Sequence, residues 1–412
     1  MAKIQFEGSG VGVGERQFIG SLTGLRFVAA ATVAVGHGAL SLRQDWLSQL
    51  VAQISSVGMT LFFVLSGFVL WLNYAASFRT MPLSGALREF AVARFARLYP
   101  MYAVVVLGIV GYLMVSRGVD LRSFGFILTM TQAWFPALGG TMMVAVVASL
   151  QHLWSISVEL FFYLLFPLAC FGLRRVDRPP MIALLALLNL LVFAVAIWAS
   201  FSHGTALLRA IAPSLGDGGM QWLTYYSPYL HISQFLAGCF AAMAYMQLET
   251  RKIGEREQAV VAVLFWLAVA GLLAVPVALF LQAGWGDFAV WIEISVRLVE
   301  VICFSVILVA ASRYGHAGFL ATRAVVVGGE CSYSIYLLHP FLIRLAMIGK
   351  PDTPSVVEFV LRLGLYVAII TAVAWVTYTM IEAPCRAWLR GALGTSAPRE
   401  VLPARWRLPL AP

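Results

Sequence analysis

Along much of this chain apolar residues follow one another for about twenty positions, without the alternation of a half-buried strand or the one-sided stripe of a surface helix. A helix needs roughly 20 such residues to cross a hydrocarbon layer of about 30 Å. Runs of that kind lie near 19–41, 56–76, 98–116, 155–173, 180–201, 229–248, 258–281, 289–311, 330–349 and 356–380. They predict an all-α fold, a polytopic integral membrane bundle of about ten transmembrane helices. The organisation that follows is a flexible cytoplasmic tail over 1–17, a membrane domain over 18–390 and a cytoplasmic tail over 391–412.

The polar intervals orient the bundle. With both termini cytoplasmic, nineteen of the 28 Lys and Arg fall on the inner side and six on the outer, while Arg26, Arg297 and Arg362 lie within spans. That asymmetry is the one positive-inside orientation requires. Residues 121–150 are apolar enough to suggest another crossing, but one more span would put "RRVDR" outside. The segment therefore reads as a re-entrant or lateral element interrupted by Pro136, Gly139 and Gly140.

Composition agrees: 61% of the 412 residues are hydrophobic and 11% charged, with a mean hydropathy of +0.87. The net charge of +9 is spread over the loops, which excludes a nucleic-acid surface as its cause. Cys170, Cys239, Cys303, Cys331 and Cys385 stand singly in or beside apolar segments and read as packing residues, with no metal-ligand or disulfide spacing. The polar residues before the first span argue against a removable signal peptide. "GSGVGVG" lacks the preceding strand and following Lys-Ser/Thr of a phosphate loop and reads as a linker.

Ionisable residues inside the spans point toward chemistry, because each costs at least about 2.5 kcal/mol at mid-bilayer and so faces the bundle interior. Arg26 and His37 share a face of the first helix, about 16 Å apart along it. Arg94 and Arg97 in "RFARLYP" stand close together at a cytoplasmic mouth, where two guanidinium forks suit phosphate or carboxylate; ordinary topological charge is the plainer reading. His152, Ser155 and Glu159 share a face entering the fourth span, as a buried carboxylate with a potential base or as a helix cap. Glu293, Arg297 and Glu300 read as an interior ionic ladder, and Glu382 as a boundary anchor. His339 lies in the ninth span before Pro340, as a kink or a site.

Taken in order, "LTGLRFVAAATVAVGHG" at 22–38, "FFVLSGFVL" at 62–70, Arg94 and Arg97, "LWSISVELFFYLLFP" at 153–167 and "YSIYLLHP" at 333–340 resemble the membrane acyltransferase type 3 family over roughly residues 18–390. Leu160 and Phe161 stand where many members carry a second Glu and a Gln. The resemblance implies acyl-CoA as a co-substrate from the cytoplasm, with no permanently bound cofactor or metal. It further implies that Arg94 and Arg97 hold CoA phosphates, with Arg26 one level deeper.

On that reading His37 is the general base and Glu159 its partner or orienter, with His152, Ser155 and His339 toward the acceptor. The acceptor expected is a hydroxyl of a cell-surface or exported glycan, the acyl group acetyl or similarly short, and the location a bacterial inner membrane. Many relatives carry an extracytoplasmic esterase-like domain, and none fits here. The membrane domain is therefore expected to act alone or with a separate extracytoplasmic or glycan-assembly partner. The competing reading is a secondary transporter using the buried Glu, Arg and His residues as a path.

Overall fold

The structure, a computed structural model, describes residues 19–42, 45–116, 121–136, 151–211, 216–249, 251–281, 288–314, 318–346 and 355–394. Residues 1–17 and most of the C-terminal tail lie outside these, as do residues 137–150 of the segment read as re-entrant. The described chain is helical, with no strand among the described residues. It forms a membrane bundle.

The helices are α1 (Gly20–Leu42), α2 (Trp46–Ala52), α3 (Ile54–Thr80), α4 (Leu83–Ser116), α5 (Leu121–Leu128), α6 (Trp154–Leu173), α7 (Pro179–Ile211), α8 (Gly216–Gln221), α9 (Pro228–Glu249), α10 (Glu255–Leu281), α11 (Ala289–Arg313), α12 (Arg323–Glu330), α13 (Ser332–Ala346), α14 (Val356–Thr377) and α15 (Ala383–Ala392). Eight stretches among the described residues are long and apolar enough to cross a membrane. Two predicted spans fall short of that measure for different reasons. Helix α9 is long enough, but His231, Ser233 and Gln234 lower its hydropathy, and all three side chains are buried. The span expected over 330–349 is divided at Cys331 into α12 and α13.

Close backbone approaches hold the centre together, as membrane helices do where small residues stand at their crossings. At the α3–α9 crossing a Cβ on Gly67 would lie 1.9 Å from the Phe235 carbonyl oxygen, and one on Gly238 would lie 1.9 Å from that of Val64. Helix α1 meets α12 the same way, Gly329 against the Thr23 carbonyl oxygen at 1.9 Å. Aromatic packing fills what remains: Phe162 stacks on Phe235 at 4.7 Å, and Phe63 meets both Phe162 and Trp154 edge-on.

The segment after α5 turns back onto the start of α6. Gln132 Nε2 donates to the Leu153 carbonyl, and the Ala133 N–H and Trp134 indole donate to Ser157 Oγ and Ser157 O. Over its described part this segment therefore folds laterally against α6. Two polar expectations need correction. The ladder on α11 is broken: Arg297 pairs with Glu293 at 2.5 Å, but Glu300 instead accepts the Thr60 hydroxyl at 2.6 Å. Glu382 is buried and accepts from Ser334 Oγ at 2.8 Å, so it is an interior tie rather than a boundary anchor.

Candidate active site

Helices α1, α3, α4, α6 and α13 line a partly open cavity. Arg26, Arg94, Arg97, Ser155 and Glu159 line it, together with Tyr163, Tyr333 and Tyr336. Five of the eight site residues read from sequence thus meet in one space, from three separate helices. Arg94 is 9% exposed. Its Nη2 donates to the Tyr74 hydroxyl at 2.8 Å, and its guanidinium lies 5.0 Å from the Tyr74 ring centre and 5.8 Å from that of Tyr163. Arg97, half-buried on the same wall, keeps its charge closer to solvent. The Tyr163 hydroxyl donates to Glu159 Oε1 at 2.5 Å.

The remaining three residues, His37, His152 and His339, come together behind the Ser155 end of the cavity. His37 Nδ1 lies 2.8 Å from His339 Nε2 with the rings stacked, and the His152 ring is 5.4 Å from that of His339. Among the described residues no three His, Cys, Asp or Glu side chains converge as metal ligands. The link to the cavity is Tyr336. Its hydroxyl donates to the His152 carbonyl at 2.5 Å and accepts from Ser155 Oγ at 2.5 Å, while its own carbonyl faces His339 Nδ1 at 2.6 Å.

Pro340 explains that last contact. Lacking an N–H, it leaves the carbonyl four residues back, that of Tyr336, without its helical donor, and His339 Nδ1 takes the place. A carbonyl only accepts, so Nδ1 of His339 carries the hydrogen. In the neutral ring Nε2 is then an acceptor, and His37 Nδ1 must donate to it. That assignment leaves the lone pair of His37 on Nε2, a nitrogen that no described residue engages. His339 is wholly buried, and the Tyr366 hydroxyl donates to its carbonyl at 3.1 Å.

Two independent rulers agree on the layout. Along α1, Arg26 and His37 are about 16 Å apart; along α6, Tyr163 beside Arg94 and Ser155 beside Tyr336 are about 12 Å apart. The arginines hold one end and the histidines lie beyond the other. His37 finds its ring partner in His339, and Glu159 finds its own in Tyr163. The tyrosines were not singled out in the sequence, although Tyr336 sits one helical turn before His339 and so had a spacing that could have flagged it.

Residues 19–379 match the acyltransferase-domain family. The chain belongs to this family. That membership counts against the transporter reading. Among curated proteins it is 23% identical over 382 residues to the O-acetyltransferase OatA of Staphylococcus aureus (strain NCTC 8325 / PS 47), covering 90% of this chain and 57% of that protein. It is 24% identical to the peptidoglycan O-acetyltransferase OatA of Listeria monocytogenes over 90% of this chain and 56% of that one. The acyltransferase MdmB of Streptomyces mycarofaciens is 26% identical over 89% of this chain and 91% of its own. The chain thus spans little more than half the length of the OatA proteins and nearly all of MdmB. No solved structure matches it.

Proposed function

We propose that this protein is an O-acyltransferase that takes acetyl or a similarly short acyl group from acyl-CoA on the cytoplasmic side of a bacterial inner membrane. The group is placed on a sugar hydroxyl of a surface or exported glycan. The observation carrying this reading is one cavity with three arginines on its walls and a hydrogen-bonded pair of histidines beyond its far end. Similarity to O-acetyltransferase OatA of Staphylococcus aureus supports acetyl as the group, and similarity to peptidoglycan O-acetyltransferase OatA of Listeria monocytogenes supports a glycan as the acceptor.

In this account Arg97 meets the CoA phosphates at the mouth, and Arg94, held by Tyr74 and Tyr163, sets the positive wall behind them. Glu159, bonded to Tyr163, fixes that side of the wall. Arg26, one level deeper than Arg94 and Arg97, holds the phosphate or thioester end of the donor. His37 Nε2 removes the proton from the acceptor hydroxyl, the oxygen attacks the thioester carbonyl, and collapse of the tetrahedral intermediate expels the CoA thiolate. The imidazolium returns its proton to that thiolate, leaving an ester and free CoA. Ser155, His152 and Tyr336 form the wall facing the acceptor side, and a separate glycan-assembly partner delivers the acceptor.

Alkali-released acids from total surface and exported glycans, measured by mass spectrometry in cells expressing wild type or His37→Ala at matched membrane levels, test the reading. One ester class present with wild type and missing with the variant is the expected result. Identical profiles count against it.

A further inference from the structure

A second cavity opens on another flank of the bundle and shares no residue with the first. Its floor is α9 and α11 and its rims are α7 and α10, which both pack on that floor but scarcely touch each other. Small residues make the space: Ala237, Ala241 and Ala244 on α9, Ala183 and Ala186 on α7, and Ala310 on α11. Both rim helices are among the most outward-facing in the protein, with Leu187 and Leu191 on α7 and Val263 and Leu267 on α10 largely exposed. The groove therefore opens sideways toward hydrocarbon, not into the interior.

Two features say what fills it. The first is its depth. From Pro179 to Leu190 along α7 it reaches about 16 Å, close to half of a hydrocarbon core of about 30 Å, so it is as deep as one leaflet. The second is its charge. Among the described residues, Arg251 is the sole charged side chain lining it. That residue is exposed at the end where α9 stops and α7 starts, beside Lys252 and the Arg174, Arg175 and Arg178 turn. That end is built to be firm: Gln247 Nε2 donates to the Asp177 carbonyl at 2.9 Å, and Arg313 Nη2 donates to the Arg251 carbonyl at 2.8 Å.

We infer that this groove is a binding site for an anionic phospholipid of the leaflet at the arginine-rich end, its acyl chain along the alanine floor and its phosphate at Arg251. The geometry suits a chain that enters from the bilayer and cannot pass the midplane, and a guanidinium favours an anionic headgroup over a zwitterionic one. The inference stands apart from the acyl-transfer reading, since none of these residues belongs to the acyl cavity.

The test uses the full chain in nanodiscs of mixed phosphatidylcholine and phosphatidylglycerol, with bound lipid counted by native mass spectrometry after release into detergent. Wild type should retain phosphatidylglycerol in preference to phosphatidylcholine. Arg251→Glu should lower retained phosphatidylglycerol about tenfold, the scale of one lost charge-assisted contact, and leave phosphatidylcholine unchanged. Ala244→Trp and Ala183→Trp, which add bulk to half-buried and exposed positions facing the groove rather than to the core, should expel the lipid while the protein stays monodisperse. Equal retention of both lipids by wild type, or unchanged phosphatidylglycerol in all three variants, overturns the site.

Discussion

His37 acquires its proposed chemistry from a residue 302 positions away, through a carbonyl that a proline set free. In that arrangement His339 is a positioning residue: it holds one tautomer of His37 and touches no substrate. Its loss should therefore act on turnover. His339→Ala is expected to lower kcat about 100-fold, the range of one positioned general base, with KM for acetyl-CoA changed less than about twofold. His339→Asn, which can still accept from His37 and donate to Tyr336, should recover part of that loss. Steady-state kinetics on purified protein decide it, and a rise in KM with kcat intact would assign His339 to donor binding instead. Arg97→Ala should do the reverse. It should raise KM for acetyl-CoA about tenfold through one lost charge-assisted contact, with kcat nearly unchanged. The sequence made both residues visible as polar groups in apolar surroundings, but the partner of His37 was hidden because hydrogen bonds between distant helices leave no local pattern.

Helices were easier to read than their breaks and crossings. Runs of apolar residues located α1, α3, α6, α7, α10, α11 and α14, since length and hydropathy are properties of a single segment. The division at Cys331 was not legible, because it depends on Gly329 letting α12 press against the backbone of α1 at Thr23. Nor was the fate of Glu300, whose spacing from Arg297 suggested an ion pair while α3 offered it Thr60. The α3–α9 crossing makes a direct prediction. Gly238→Leu must push the two backbones apart and should cost at least the 1–3 kcal/mol typical of overpacking, seen as a lower thermal midpoint of the detergent-solubilised protein. Gly364→Leu, on α14 with nothing near its Cβ position, should leave the midpoint within about a degree of wild type. Equal shifts in the two variants would deny the crossing its role.

The bundle as a unit sets a cationic end and a histidine cluster at opposite ends of one cavity, and the chain belongs to the acyltransferase-domain family. In the sequence, charge asymmetry suggested an orientation for that path, whereas its walls required the folded chain: Tyr163 and Tyr336 line it from two helices, and Tyr74, on a third, holds Arg94. In the proposed reaction the arginines hold CoA, and its acyl group passes directly to a hydroxyl that His37 deprotonates. The most direct measurement is transfer of radiolabelled acetyl from acetyl-CoA to glycan in inverted membrane vesicles, which present the cytoplasmic face to the added donor, with wild type compared to His37→Ala. The account predicts alkali-labile label in the glycan fraction with wild type and background label with the variant. Label that appears equally with both, while protein levels match, would contradict it.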